Sequence, residues 1–250
     1  MKFMAIIPAR YASTRFPAKP LAMLGGKPII QRVYERVAQV FPNLCVATDD
    51  ARIEAVVKHF GGVAVMTSTT HRSGTDRCYE AFCKMGGDAD IVVNVQGDEP
   101  FIAPSQLKAV AACFDDPSTQ IATLVKPFGP DATIEQIENP NSPKVVVSND
   151  GYALYFSRSV IPYLRGVDRA SWPSARTYLK HIGLYAYRAD MLEHITHMPQ
   201  GILEQCESLE QLRWLQAGLR IKVGTTDVET IGIDTPQDLE RAEAFLKTQK

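Results

Sequence analysis

Three basic residues, Arg10, Arg15 and Lys19, lie in one short stretch near the amino terminus and could bind a polyanion together. Guanidinium groups pair with phosphate oxygens in a forked geometry, and a lysine ammonium adds a compact point charge. Ser13 stands among them, and three prolines restrict the backbone of the same stretch. The pattern predicts a phosphate-binding loop; the alternative is a solvated basic loop paired with surface acids.

Two carboxylates are candidates for a metal site. Asp98 follows the apolar run 91–95 in a segment that also contains Gln96, and Asp234 directly precedes a predicted helix. A carboxylate beside bound phosphates can hold Mg²⁺ that bridges the phosphate oxygens. A second carboxylate would serve a site in which two metal ions clamp the attacking and leaving groups. The alternative for both residues is an ordinary role at a helix start.

A third candidate is the helix start at Ser73 and Gly74, where free backbone N–H groups could meet a carbonyl or a phosphate. Ordinary helix caps share this pattern. In the second half of the chain, polar side chains could line a pocket for a carboxylated sugar, although each also has an ordinary structural interpretation. His181 and Tyr185 are four positions apart, which places them on one face of a predicted strand. These candidates are Arg158, His181, Tyr185, Glu210 and Gln211.

The elements that must position these residues follow a β-α repeat from the apolar run 3–7 to about residue 126. In open α/β sheets, ligands bind outside the carboxyl ends of the strands, which is where the basic loop and Asp98 fall. We therefore predict an α/β fold with a doubly wound, mixed and mainly parallel sheet. An Asn-Asp-Gly hairpin at 149–151 begins a different pattern, which predicts a smaller β-rich lobe inserted at about 126–225 of a single 250-residue domain. Residues 161–176 are predicted to form a polar loop.

Composition excludes several classes of protein. A formal net charge of −1 gives no support for a nucleic-acid or membrane-surface partner. The apolar runs are too short for a membrane span, and Met1 leads directly into a strand, so we expect no secretory signal. Five scattered cysteines without a Cys-x-x-Cys pair predict free thiols in a reducing, cytoplasmic setting. P-loop, dinucleotide-binding and Ser/His/Asp signatures are also missing from the sequence.

Taken together, these stretches resemble the 3-deoxy-manno-octulosonate cytidylyltransferase family, the CMP-Kdo synthetases, over nearly the whole chain. The stretches that carry the resemblance are IPARYASTR (7–15), ATDD (47–50), SGTDR (73–77), VNVQGDEP (93–100), YFSR (155–158), HIGLY (181–185), LEQLR (209–213) and IDTP (233–236). Each is moderately specific, and their common order is highly specific. One departure is Ala18, where the family commonly has glycine, so a glycine-only backbone angle is in question there.

The resemblance implies a nucleotide-diphospho-sugar transferase-like fold and a Mg²⁺-dependent homodimer that makes CMP-Kdo and pyrophosphate from CTP and Kdo for lipopolysaccharide biosynthesis. It implies that Asp98 and Asp234 bind the metal and that the lobe binds sugar through the five candidates given above. It further implies that the nucleotide is held by Arg10, Ser13, Arg15, Lys19, Ser73, Gly74 and Gln96, with Lys19 and the two acids as the catalytic residues. The rival interpretations are a sialic acid cytidylyltransferase or sugar-1-phosphate nucleotidylyltransferase, a glycosyltransferase, and a nucleotide sensor without turnover.

Overall fold

The computed structural model of the chain describes residues 1–12, 15–229 and 231–248. The chain forms two compact units. The first contains Met1–Lys108, Ala186–Thr196 and the carboxyl-terminal segment, and the second contains Ala109–Tyr185 and His197–Glu229. The lobe predicted at about 126–225 falls in the second unit except for residues 186–196; its roles in sugar binding and dimerisation stay predictions. All five cysteines are free thiols. Among the described residues, no helix has the length and apolar character that a membrane crossing requires.

The helices and strands alternate through most of the chain. The strands are β1 (Phe3–Ala9), β2 (Met23–Leu24), β3 (Lys27–Pro28), β4 (Leu44–Thr48), β5 (Ala64–Met66), β6 (Ile91–Asn94), β7 (Ile121–Pro127), β8 (Lys144–Val147), β9 (Ala153–Ser157), β10 (Leu179–Arg188) and β11 (Ile221–Thr225). The helices are α1 (Ile29–Val37), α2 (Ala51–His59), α3 (Gly74–Lys84), α4 (Pro104–Ala112), α5 (Ile134–Glu138), α6 (Trp172–Ala175), α7 (Ala189–Thr196), α8 (Ile202–Glu207), α9 (Gln211–Gln216) and α10 (Pro236–Thr248).

The first unit is built on a parallel sheet in the order β6-β1-β4-β5. Strand β1 pairs in parallel with β4 on one side and β6 on the other. Because β1 has neighbours on both sides and carries only apolar residues, it lies in the core, with Ile6 and Ile7 fully buried. The residues that follow β1 and β6 therefore meet at one edge of the sheet, as predicted.

The helices of the first unit begin where their capping residues predict. Pro28 is the residue before α1, and the Asp50 side chain accepts the Arg52 N–H at the start of α2. Helix α10 begins after Thr235, whose hydroxyl accepts the Asp238 N–H at 3.2 Å while the Asp238 carboxylate accepts the Thr235 N–H at 2.8 Å. This reciprocal pair is a capping box, and it fixes the chain direction just after Asp234.

In the second unit, β7 lies between β11 and β10, and the β8-β9 hairpin adds to β10. The hairpin confirms the Asn-Asp-Gly signal, since Gly151 has a positive φ of 80°. The expectation of a loop throughout 161–176 was incomplete. Trp172 begins the single-turn helix α6 and is 4% exposed, because it packs with Ile137 and Tyr178. Burial of the Trp172 ring thus stabilises a helical turn in a segment whose polar composition indicated a loop.

Ala18 occupies a backbone conformation that favours glycine, with φ 58° and ψ 17°. We expect Ala18→Gly to raise the free energy of unfolding by about 0.5 kcal/mol, because the left-handed penalty it relieves (about 1–2 kcal/mol) exceeds the added chain entropy. Ala22 is extended, with φ −62° and ψ 139°, so Ala22→Gly should lose stability. Urea unfolding measures both; equal losses in the two variants would contradict this assignment of strain.

Candidate active site

A cavity of about 230 Å³ opens in the first unit where β1 and β6 end. It brings together the predicted residues that the structure describes there: Arg10, Arg15, Lys19, Ser73, Gly74, Gln96, Asp98 and Asp234. Ser13, also predicted to bind nucleotide, lies outside the described residues. The sequence placed these side chains on four separate segments, and the fold joins the segments at one sheet edge.

Lys19 lies at the centre of the charged part of the cavity. Its ammonium nitrogen is 2.6 Å from Asp98 Oδ2 and 3.1 Å from Asp234 Oδ1, and its side chain is only 13% exposed. Arg15 approaches the other oxygen of Asp234 at 3.3 Å. The two carboxylates are thus close enough to share one cation, although 136 positions separate them in the sequence.

The loop after β6 holds Asp98 by its backbone. A Cβ added to Gly97 would lie 2.8 Å from the Pro8 carbonyl oxygen, so only glycine lets this loop approach β1 so closely. The Asp98 carbonyl accepts the Ile233 N–H at 2.9 Å, which ties the two acid-bearing segments together. Asp98 does not cap a helix, since α4 begins only at Pro104. Its side chain points to Lys19 instead.

The capping role near Asp234 belongs to Asp238. The Asp238 carboxylate accepts the N–H groups of Asp234 and Thr235 at 3.0 and 2.8 Å. Burial acts to raise the pKa of Asp238, but the hydrogen bond from the Thr235 hydroxyl, the two N–H bonds and the charge of Arg241 together lower it. The Asp234 carboxylate is consequently left to face Arg15 and Lys19.

The start of α3 forms another wall of the cavity. The Ser73 hydroxyl accepts the Asp76 N–H at 3.1 Å, and Asp76 accepts the Ser73 N–H in return. Ser73 is therefore a helix cap, the alternative interpretation of its sequence, and it also lines the cavity. A Cβ on Gly74 would lie 3.3 Å from the Pro8 side chain. Gly74 thus lets the helix start pack against the end of β1.

The five candidates for sugar binding all lie in the second unit. His181 and Tyr185 lie on one strand face as predicted, with ring centroids 5.4 Å apart. His181 Nε2 is 3.1 Å from the Thr123 hydroxyl, and its ring meets Phe156 edge-on. Burial lowers the pKa of His181 to about 3, so the imidazole is neutral near pH 7. Burial, with the nearby Glu210 charge, raises the pKa of Tyr185 well above its usual value.

Gln211 and Glu210 lie together at the start of α9. Gln211 is 4% exposed, and within the described ranges its side-chain nitrogen has no hydrogen-bond acceptor. Arg213, which is 8% exposed, pairs with the Glu210 carboxylate and donates to the Met198 carbonyl at 3.1 Å. A buried amide donor beside an oriented carboxylate is a chemically suitable place for a polar ligand.

Arg158 makes three backbone contacts. Its guanidinium donates to the carbonyls of Glu207, Pro140 and Ser208 at 2.6, 2.7 and 3.2 Å. Buried Lys144 donates in turn to the Arg158 carbonyl at 2.6 Å. Since a guanidinium carries five N–H donors, two remain after these three bonds. Arg158 therefore holds the hairpin end in place and keeps donors for a ligand.

The sequence model of the cytidylyltransferase family matches residues 4–221. The chain is 68% identical to a 3-deoxy-manno-octulosonate cytidylyltransferase of Phocaeicola vulgatus over 250 residues, covering 100% of this chain and 99% of that protein. It is also 68% identical to the protein of the same name in Bacteroides thetaiotaomicron over 249 residues, covering all of both chains. The chain belongs to the 3-deoxy-manno-octulosonate cytidylyltransferases.

The fold of this cytidylyltransferase agrees with that membership. A solved structure of CMP:2-keto-3-deoxy-manno-octonic acid synthetase complexed with CTP superposes with a TM-score of 0.91 at 43% identity and covers 100% of both chains. The predicted fold class, a mixed and mainly parallel sheet with helices, is confirmed.

Several residues that line the cavity of the cytidylyltransferase were not site candidates, and Arg77 is the most deeply buried cation among them. Arg77, in the first turn of α3, is 4% exposed and lines the cavity. Its terminal nitrogens donate to Thr67 Oγ1 at 2.6 Å and Asp49 Oδ2 at 2.7 Å. The available signal was a cation near a helix amino terminus, where the helix dipole disfavours it, together with an acid after β4.

The stability of this cytidylyltransferase should depend on pH through the protonation of His181. Because its folded pKa is about 3 and its unfolded value is near 6.5, the unfolded chain binds the extra proton between these values. The neutral His181 ring therefore contributes fully to the free energy of unfolding above pH 6.5, and this contribution is lost as the pH falls below 6.5. We expect the free energy of unfolding, measured in urea from pH 8 to 5, to fall more steeply in the wild type than in His181→Asn. Parallel curves would show that the ring is protonated freely in the folded protein.

Proposed function

We propose that the chain transfers CMP from CTP to the anomeric hydroxyl of 3-deoxy-D-manno-octulosonate (Kdo), giving CMP-Kdo and pyrophosphate for lipopolysaccharide biosynthesis. The observation that carries this proposal is 68% identity over the full length to a cytidylyltransferase named for that sugar. The cavity of the first unit supports it independently, because cations and two carboxylates converge there as the binding of a nucleoside triphosphate requires.

The basic residues of the cavity would bind the triphosphate. Arg15 and Arg10 are exposed and can reach phosphate oxygens, whereas Lys19 is held within the cavity. In the reaction, the Kdo hydroxyl forms a bond to the α-phosphorus while the bond from that phosphorus to the β-phosphate bridging oxygen breaks. Negative charge grows on the departing pyrophosphate, and fixed cations lower the barrier most where charge develops.

The two carboxylates fit Mg²⁺. Asp98 and Asp234 already converge on one cation, the Lys19 ammonium. Among the described residues, no three His, Cys, Asp or Glu side chains form a complete metal cage. Mg²⁺ characteristically takes one or two protein carboxylates and completes its shell with phosphate oxygens and water. Bound there, Mg²⁺ would neutralise phosphate charge and lower the pKa of the attacking hydroxyl.

The sugar would be bound by residues of the second unit. Kdo carries a carboxylate and several hydroxyls. The unpaired amide nitrogen of Gln211 can donate to a carboxylate, and the neutral His181 ring and the Glu210 carboxylate can pair with hydroxyls. Arg158 would add charge through its two remaining donors, and the Tyr185 ring packs beside His181.

We further propose that the enzyme works as a cytoplasmic homodimer without nucleic-acid or membrane partners. The net charge of −1 supports the absence of a general polyanion partner. Nine large apolar side chains are exposed among the described residues, including Leu154 at 61% and Tyr163 at 74%, and such residues are candidates for subunit contacts. The 161–176 segment is proposed to close over the sugar; lack of hydrogen-exchange protection there with both substrates would argue against closure.

Pyrophosphate release tests the function directly. It should be followed with Mg²⁺ and CTP, UTP or ATP, each with Kdo or sialic acid. We expect release only with CTP and Kdo together. Release with CTP and sialic acid would retain the chemistry and change the sugar. Measurable CTP binding without release in any combination would overturn the proposal in favour of a nucleotide sensor.

A further inference from the structure

Arg77 is placed where an arginine is costly unless it has a specific role. It lies in the first turn of α3, where the helix dipole is positive, and its side chain is 5% exposed. Burying an ion pair costs desolvation energy that its attraction rarely returns in full. A hydrophobic residue would therefore serve stability at least as well, so the guanidinium calls for another explanation.

Two loops at the sheet edge hold this guanidinium rigidly. Asp49, immediately after β4, accepts from one terminal nitrogen at 2.7 Å, and Thr67, immediately after β5, accepts from the other at 2.6 Å. The Thr67 hydroxyl is itself oriented, since it donates to the Thr48 carbonyl at 3.1 Å. The plane of the guanidinium is thus fixed before any ligand arrives.

Arg77 is one of the residues that line the cavity of the first unit, although its side chain is only 5% exposed. A guanidinium has five N–H donors and no acceptor, and it stays protonated at all physiological pH values. Two donors are used by Asp49 and Thr67, so what remains for a ligand is a pure donor surface. Any group bound there must present acceptor atoms.

The Asp49 carboxylate also limits what that ligand can be. It neutralises Arg77, so the pair carries no net charge. Elsewhere in the cavity, Arg15 and Lys19 pair with Asp98 and Asp234, whose side chains are more exposed than Asp49, at 29% and 49% against 17%. A neutral pair that donates hydrogen bonds suits an uncharged acceptor better than a phosphate.

We propose that Arg77, held by Asp49 and Thr67, donates to the O2 and N3 acceptors of cytosine and thereby selects CTP over UTP. Uracil carries a hydrogen on N3, so the same donor edge would face another donor. A buried donor left opposed to a donor is strongly unfavourable. The inference rests on the proposed function only in taking CTP as the nucleotide, and it gives the ATDD stretch at 47–50 a purpose.

Nucleotide binding without sugar tests this role. Affinities for CTP and UTP would be measured by calorimetry on the wild type, Arg77→Lys and Asp49→Asn. Arg36→Lys, a partly buried arginine of α1, is the matched control. We expect the preference of the wild type for CTP over UTP to fall at least tenfold in Arg77→Lys, mainly through weaker CTP binding. Asp49→Asn should lower the preference less, and Arg36→Lys should not change it.

Several outcomes would overturn the proposal. Equal losses for CTP and UTP would show phosphate binding or a structural role. A wild-type protein that binds CTP and UTP equally would also refute the proposal, because Arg77 would then select neither base. If Arg77→Lys fails to fold by circular dichroism, Asp49→Asn and Thr67→Val provide the same comparison with the arginine in place, and an unchanged preference in both would refute it. A wild type that prefers CTP but makes no CMP-Kdo would refute only the proposed sugar transfer.

Discussion

Asp98→Asn should reduce pyrophosphate release from CTP and Kdo by at least about 100-fold. Asparagine keeps the shape and the backbone bond from Ile233 but removes the negative charge that faces Lys19 at 2.6 Å. The expected loss appears in kcat, because the proposed function places the reacting phosphate beside Asp98. The measurement is initial pyrophosphate release over a Mg²⁺ titration, in which higher Mg²⁺ should recover part of the rate.

Asp88→Asn is the matched control. Asp88 belongs to the same unit, its side chain is 82% exposed, and neither it nor its ion-pair partner Lys2 lines the cavity. This variant should keep the wild-type rate. If Asp98→Asn stayed within threefold of the wild type with an unchanged Mg²⁺ dependence, the assignment of Asp98 to the metal would be wrong.

Gly97→Ala is expected to have the second largest effect. The new Cβ would lie 2.8 Å from the Pro8 carbonyl oxygen, closer than a real Cβ approaches a backbone oxygen. The loop must therefore move away from β1 and carry Asp98 with it. Because displacements near 1 Å at a reacting centre can cost about 100-fold in rate, we expect a loss of that order.

Gly129→Ala separates this local effect from the general cost of replacing glycine. A Cβ at Gly129 meets no atom within 4 Å. Gly129→Ala should keep the activity and the melting temperature of the wild type, whereas Gly97→Ala should lower both. Crystal structures of the two variants would show whether the 96–98 loop moved; an inactive Gly97→Ala with an unmoved loop would refute the steric explanation.

Much of the first unit could be predicted because its signals are local. The apolar strands, the Asp50 and Thr235 caps and the edge position of Asp98 each follow from a few neighbouring residues. The general rule for ligand sites in α/β sheets then placed the basic loop and Asp98 together. Family resemblance added Asp234, whose local pattern alone did not separate a metal ligand from a cap.

What could not be predicted depends on contacts between distant residues. Nothing in the sequence pairs Arg77 with Asp49 and Thr67, because three different segments meet only in the folded unit. Trp172 likewise orders α6 through packing with Ile137 and Tyr178. The hydrogen bonds from the Arg158 guanidinium to backbone carbonyls could not be predicted either, because they do not depend on the types of the accepting residues. Tertiary contacts outweighed local propensity at each of these positions.

The bond between Ile233 and Asp98 has a consequence for synthesis of the chain. Domains generally fold from the amino terminus as they leave the ribosome. The first acid can be placed early, but the second arrives more than a hundred residues later, and its orientation further requires Asp238. A nascent or prematurely terminated chain that ends before residue 233 would lack the second acid, the bond to Asp98 and part of the first unit. Such fragments should therefore release no pyrophosphate from CTP and Kdo, so the activity depends on the last segment of the chain to be synthesised.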